Sequence, residues 1–102
     1  MSGIRVWEAE VRRLRGEFLA ALGASSPDVE AELARALEVA RRQGATMLEL
    51  RVVMSLLHHR LTRGDGPGVT EARDRLAAIV DRFREGRDSP DLRLAADLLT
   101  RS

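Results

Sequence analysis

The side chains with the most potential for acid–base or metal chemistry are two adjacent histidines, His58 and His59. Neighbouring residues on a helix point about 100° apart, whereas a two-histidine zinc site uses i,i+4 spacing so that both rings share one face. No Asp or Glu stands four residues from either histidine. We therefore expect a surface or helix-end role for this pair, with neither a metal site nor a catalytic site.

A second candidate for chemistry is the glycine-rich segment Gly64–Gly68, in which glycines alternate. Its spacing is neither G-x-G-x-x-G nor a P-loop, because no Lys-Ser/Thr follows. We predict a flexible loop here and no phosphate site. Carboxylate pairs such as Asp28 and Glu32 belong to charged faces where solvated ion pairs explain them. The sequence thus indicates a protein that is not an enzyme and holds no cofactor.

All 17 basic residues are arginines, and they are balanced by 16 acidic residues for a formal net charge of +1. Dedicated nucleic-acid binders carry a clear basic excess, so this balance argues against that class. A small nucleic-acid-binding helical protein stays open as an alternative. It would use Arg12, Arg13, Arg15, Arg41, Arg42 and Arg51.

Hydrophobic spacing by threes and fours predicts an all-α domain of about five antiparallel helices over residues 1–102. The predicted helices are 4–22, 27–43, 46–63, 70–85 and 90–100, which form one hairpin over 4–44, a second over 46–86 and a closing helix within 89–101. In helix one the inward stripe is expected to be Ile4, Trp7, Val11, Leu14, Phe18 and Leu22. Helix three carries the widest apolar arc, so we expect it to be central and buried on two sides.

Three helix starts have capping signals. Ser26 followed by Pro27 predicts an N-cap and a first helical residue for helix two. Thr46 with Glu49 three residues later predicts a capping box for helix three. Thr70 is the predicted cap of helix four.

The two hairpins align when the chain is shifted by 43 residues, as with Leu14 on Leu57 and Leu33 on Leu76. A unit of this kind buries its apolar face only against a neighbour. Two and a half units are few, so we expect either capping by the last helix or self-association.

Four segments also resemble a known family. They are Trp7-Glu8-Ala9-Glu10, Leu14-Arg15-Gly16-Glu17, Leu48-Glu49-Leu50-Arg51 and Asp88-Ser89-Pro90-Asp91-Leu92. They are similar to the last tetratricopeptide-type (TPR-like) repeats of large bacterial transcriptional regulators that contain an ATPase core and, in some members, adenylate cyclase or LuxR-type domains. The resemblance implies a superhelical protein-interaction or sensory segment, without the ATPase, cyclase or DNA-binding parts.

The first helix of each hairpin lines the concave surface in TPR-like stacking. The polar residues expected there, in a groove for a protein or peptide partner, are Glu8, Arg12, Arg15, Arg51, Ser55 and His58. Such an arginine-rich groove would favour an acidic partner, because guanidinium pairs bidentately with carboxylate. Apolar residues near the N-terminus, Ile4, Val6 and Trp7, are candidates for a homodimer contact.

The sequence therefore predicts a non-enzymatic protein-interaction module, with a regulatory segment of a bacterial transcription regulator as the alternative. It contains no apolar stretch typical of a signal peptide or membrane span and no cysteine. We expect a cytoplasmic protein.

Overall fold

The computed structural model describes the backbone of residues 2–83 and 90–101 and the side chains of residues 8–83 and 90–100. The all-α prediction is confirmed: within these ranges the chain forms five helices and no strand. The helices are α1 (Ser2–Ala21), α2 (Ser26–Arg42), α3 (Thr46–Arg63), α4 (Gly66–Arg82) and α5 (Pro90–Arg101). None of the helices in the described ranges is both long and apolar enough to cross a membrane.

The helices form two layers. Helices α1, α3 and α5 lie side by side, and α2 and α4 lie against them, with each helix packed on its neighbours in sequence. The molecule measures 35 × 35 × 19 Å, and its smallest dimension equals about two helix diameters of roughly 10 Å each. Helix α3 contacts all four other helices, so its predicted central position is correct.

The main core lies between α2, α3 and α4. Leu50, Val53 and Leu57 of α3 are fully buried, and they meet Leu33 of α2 and Leu76 of α4. Burying a leucine stabilises a fold by about 1.5–3 kcal/mol relative to leaving it exposed. These aliphatic side chains therefore provide much of the energy that holds the layers together.

The predicted inward stripe of helix one is wrong over residues 11–22, and the side chains of its first two members, Ile4 and Trp7, lie outside the described ones. Val11, Leu14, Phe18 and Leu22 are 56%, 49%, 65% and 67% exposed. The residues of α1 that pack on α2 are small ones such as Ala9 and Gly16, which are buried. Small residues let two helix backbones approach closely. Of the large apolar residues over 11–22, only Leu19 packs against the core.

The orientation of α1 also determines how well the two hairpins align with each other. In the second helices the 43-residue offset holds, since Leu33 and Leu76 are both buried. In the first helices it fails, because it aligns exposed Leu14 with buried Leu57.

The cap of α2 lies one residue earlier than predicted. Ser25 is the N-cap, and its hydroxyl accepts from the backbone N–H of Asp28 at 3.4 Å. Ser26 is the first helical residue, and its hydroxyl contacts His59 instead.

The predicted capping box of α3 does not form. The N-cap is Ala45, no side chain caps the helix, and Thr46 is the first helical residue. The Glu49 carboxylate is buried and is bound by arginines from α2 and α4, which explains why it does not turn back to the helix start. Arg41 Nε lies 3.2 Å from it and Arg82 Nη1 lies 3.4 Å from it.

The predicted loop at Gly64–Gly68 is mostly helix. Gly64 adopts φ 73°, a left-handed conformation suited to glycine, and ends α3. Asp65 is the N-cap of α4 and accepts from the N–H of Gly68 at 3.2 Å, so the predicted cap Thr70 lies inside the helix. Proline in the first turn fits this start, because its missing N–H has no partner to lose there.

At the other end α4 finishes at Arg82, while the predicted end 85–86 and residue 89 lie outside the described ranges.

Arg60 of α3 joins three helices at the end of the core opposite Glu49. Its guanidinium donates to both oxygens of Glu30 on α2, at 3.1 and 2.9 Å, and to the carbonyl of Gly68 on α4 at 2.9 Å. A further bond reaches Glu71 at 3.3 Å. These hydrogen bonds hold the pKa of Glu30 below its ordinary value and raise that of Arg60.

Candidate binding groove

An open groove of about 950 Å³ runs along the layer that contains α1, α3 and α5. Its exposed apolar lining comes mainly from Ala20 on α1, Met54 on α3 and Leu94 and Leu98 on α5, with the buried Val29 and Leu33 of α2 at its base. Binding sites for peptides and small molecules typically combine such an apolar surface with a few fixed polar groups.

The polar groups on one side of the groove form a connected network centred on Arg13. Its guanidinium binds Glu10 through two hydrogen bonds of 2.8 and 2.9 Å, and it also binds Glu17 at 2.9 Å. Arg13 further donates to the hydroxyl of Ser55 on α3 at 3.3 Å, and Ser55 donates to Glu17 at 2.5 Å. The network therefore links α1 to α3 along this side of the groove.

The same network reaches α5 through Arg51. This guanidinium donates twice to Asp91 Oδ2, at 3.3 and 3.0 Å, and lies 3.8 Å from Glu10. The hydrogen bond from Arg13 lowers the pKa of Glu10, and the reciprocal bond raises the pKa of Arg13. Both groups are therefore charged at neutral pH, and all three helices of the layer are linked by charge-assisted bonds.

The other end of the groove contains the histidine pair. His58 is exposed, and His59 is half-buried with its Nε2 3.0 Å from the hydroxyl of Ser26. Burial lowers the pKa of the His59 ring. Across residues 8–83 and 90–100, no three His, Cys, Asp or Glu side chains come together in a way that could hold a metal ion.

Three of the six predicted partner-binding residues line the groove, and all three are on α3: Arg51, Ser55 and His58. The three on α1 do not. Glu8 and Arg12 pair with each other at 3.3 Å on the side of α1 away from the groove, and Arg15 is exposed elsewhere. The error has one cause, because the predicted positions were chosen beside the apolar stripe that turned out to face solvent.

The α1 residues that do line the groove are Arg13 and Glu17, and α5 adds Asp91. A sequence signal for the first two existed: Glu10, Arg13 and Glu17 are spaced by three and four, so they share one helix face. No spacing rule within one helix connects Arg51 to Asp91, forty residues later. The candidate contacts at Ile4, Val6 and Trp7 concern side chains outside the described ones.

The charges around the groove are balanced. Arg13, Arg51 and Arg63 are basic, and Glu17, Asp91 and Asp97 are acidic. Since Arg13 and Arg51 are already bonded to carboxylates, the groove is less basic than its arginine content suggested. No family model, curated protein or solved structure matches the chain.

Proposed function

We propose that this chain is a non-enzymatic protein-interaction module of the TPR-like type, which binds a peptide segment of a partner protein in the groove between α1, α3 and α5. The observation that carries the proposal is the groove itself, an open channel with an apolar surface and a polar side whose groups are joined by ion pairs. A preorganised surface binds a peptide with less loss of side-chain entropy than a mobile one does.

The order of the helices supports a TPR-like arrangement. The first helices of successive hairpins lie together in one layer, and each second helix packs between two first helices. That is the arrangement in which first helices form a concave surface along the array.

The chemistry of the groove favours a peptide with an apolar anchor and an acidic group. Met54 and Leu98 offer apolar contact, and Arg51, with 39% of its side chain exposed, retains N–H donors that Asp91 does not use. Arg63 is exposed at the far end. The apolar anchor would contribute most of the affinity, and the acid would set orientation.

A peptide display library selected on the chain provides the test. Selected peptides should bind the unaltered chain and lose at least tenfold in affinity to Ala20→Glu, which places a charge in the groove at an exposed helical site. The matched control is Ala78→Glu, at an exposed site on α4, which should bind as the unaltered chain does. Equal loss in both variants, or in neither, would contradict groove binding.

The nucleic-acid alternative requires arginines that are free to contact phosphate. Arg13, Arg41 and Arg51 are engaged by carboxylates of the chain itself. Binding of duplex DNA with a steep decrease as salt rises would favour that alternative, and absence of binding at low salt would favour the peptide groove.

A further inference from the structure

The two ends of the groove differ in the charges that they present. At one end the ion pairs already described form a cluster, here called the Arg13 network, whose charged members are Arg13, Arg51, Glu10, Glu17 and Asp91. The network has one more carboxylate than guanidinium groups, so this end is acidic. At the opposite end Arg63 lines the groove, and no carboxylate of the described residues lies within ion-pair distance of it.

Arg51 is poorly placed to receive an acidic group from a partner. Its Nε and Nη2 donate to Asp91, and its Nη1 lies 3.8 Å from Glu10. A partner carboxylate at Arg51 would therefore come beside two carboxylates of the chain, and like charges at such distances repel. Arg13 has the same limitation, because its Nε, Nη1 and Nη2 all donate within the network.

The carboxylates of the network retain oxygens that can accept from a cation. Arg13 and Ser55 both bind Glu17 through Oε2, and Arg51 binds Asp91 through Oδ2. The second oxygen of each carboxylate takes no part in these bonds, and the Glu17 side chain is 49% exposed. An ammonium or guanidinium group of a partner can therefore bind here without breaking the network.

An apolar stretch lies between the two charged ends. Ser55 and Arg63 are eight residues apart on α3, which is about 12 Å along a helix. Ala20 and Leu98 line the groove from its two sides, and Asp97, which also borders it, already has an interaction partner in the chain. An extended segment rises about 3.3 Å per residue, so two of its side chains that reach the two ends are roughly four residues apart.

We propose that the groove selects a bipolar segment of a partner protein, with a basic side chain at Glu17 and Asp91, an apolar side chain in the middle and an Asp or Glu side chain at Arg63. This inference rests on the proposed peptide binding and adds the placement of the charges. The reversed placement brings like charges together at both ends. Exposed ion pairs are individually weak, so the two ends determine position and specificity, and apolar contact provides most of the affinity.

Four synthetic peptides that share a central leucine test the placement of the charges. One is neutral, one has only a glutamate, one has only a lysine, and the bipolar one has both, four residues apart on either side of the leucine. In fluorescence anisotropy the bipolar peptide should bind the chain several-fold more tightly than the neutral one. The difference should decrease as salt rises, because salt screens exposed charges.

Charge reversal at Arg63 tests where the acid binds. Arg63→Glu should weaken binding of the glutamate-only and bipolar peptides several-fold and should not weaken binding of the lysine-only peptide. Arg73→Glu is the matched control, since Arg73 is an exposed arginine on α4 with no ion pair among the described residues, and it should bind all four peptides as the unaltered chain does. Circular dichroism checks that both variants keep their helicity.

Three results would overturn the inference and leave the groove as a peptide site. The first is equal affinity of the unaltered chain for all four peptides. The second is a glutamate-only peptide that Arg51→Met weakens and Arg63→Glu does not, which places the acid at the other end. The third is a bipolar peptide that does not bind although library-selected peptides do. Failure of Ala20→Glu to weaken any peptide would instead contradict the proposed function.

Discussion

Gly16 of α1 lies directly against Leu33 of α2, so close that a β-carbon at position 16 would be 3.0 Å from Leu33 Cδ2. Leu33 is fully buried and has little room to move. The closeness of α1 and α2 therefore depends on the absence of a side chain at one position.

Replacing Gly16 distinguishes the effect of helix propensity on stability from the effect of side-chain packing. Propensity alone predicts that Gly16→Leu stabilises the chain by about 0.5–1 kcal/mol. Overpacking against Leu33 predicts a net loss of about 1–3 kcal/mol in the free energy of unfolding, and this is the outcome we expect. Urea unfolding measures it. Ala31→Leu, at an exposed site on α2, serves as the control and should change stability by less than about 0.5 kcal/mol.

Charges introduced at two neighbouring positions of α3 should have different effects. The sequence predicts that Met54→Asp and Leu57→Asp both unfold the chain. Leu57 is fully buried, so an aspartate there leaves an unpaired charge in the core and should abolish the cooperative unfolding transition. Met54 is only partly buried and borders the groove, where water can solvate a carboxylate. Met54→Asp should therefore stay folded with lowered stability, and circular dichroism with thermal unfolding will distinguish the two; equal loss would mean that the groove is closed to water.

Because Arg41 and Arg82 both bind the buried Glu49 carboxylate, the effects of replacing them on the free energy of unfolding should not be additive. With Arg41→Met or Arg82→Met alone, the other guanidinium still binds Glu49. With both replaced, the buried charge is unpaired, and we expect a loss of about 2 kcal/mol, moderated because both arginines are half-exposed. Adding Glu49→Met to the double variant should recover most of that loss. Strictly additive effects in urea unfolding would show that the three charges act separately.

His59 should make stability depend on pH near neutrality. Burial lowers the pKa of its ring, so the folded chain binds this proton less tightly than the unfolded chain does. The contribution of neutral His59 to the free energy of unfolding is complete above the ordinary histidine pKa of about 6.5. It declines as the pH falls through the lower pKa of the folded chain. His59→Gln should remove this decline from the urea midpoint measured against pH, whereas His58→Gln should leave it in place.

Two carboxylates should produce a second decline in more acidic solution. Hydrogen bonds from Arg13 and Arg60 lower the pKa of Glu10 and Glu30 respectively, so the folded chain holds these groups ionised more strongly than the unfolded chain does. The stability that ionised Glu10 and Glu30 contribute is present above the ordinary glutamate pKa of about 4.3. It is lost as the pH falls through the lowered pKa values of the folded chain. Glu30→Gln should reduce this second decline in stability, and Glu38→Gln, at a largely exposed pair, serves as the control.

The bounds of the helices were predicted from the sequence far better than the side of each helix that is buried. The bounds of α3 agree at both ends, because Gly44 and Gly64 and a continuous apolar arc delimit it. In α1 the apolar stripe was correctly seen but wrongly placed. The spacing of apolar residues identifies an apolar face but does not show what covers it. The inward side of α1 has one large apolar residue, Leu19, and otherwise small residues such as Ala9 and Gly16.

The candidate groove was predicted for α3 and missed for α1 and α5 for related reasons. The buried side of α3 is clear from the sequence, so the positions beside it could be predicted to face the groove. These are Arg51, Ser55 and His58. The contacts of Arg13 with Ser55, and of Arg51 with Asp91, join residues about forty positions apart. Such pairs depend on the relative rotation of whole helices, which local spacing does not encode.

The packing of each helix on its neighbours in sequence has a consequence for folding kinetics. The described turns are short, with only Gly64 and Asp65 between α3 and α4, so native contacts form after closing small loops. Chains dominated by local contacts fold in microseconds to milliseconds. Every pair of helices adjacent in sequence meets this condition, the extensive α1–α2 pair included, so we expect folding to require no slow long-range search.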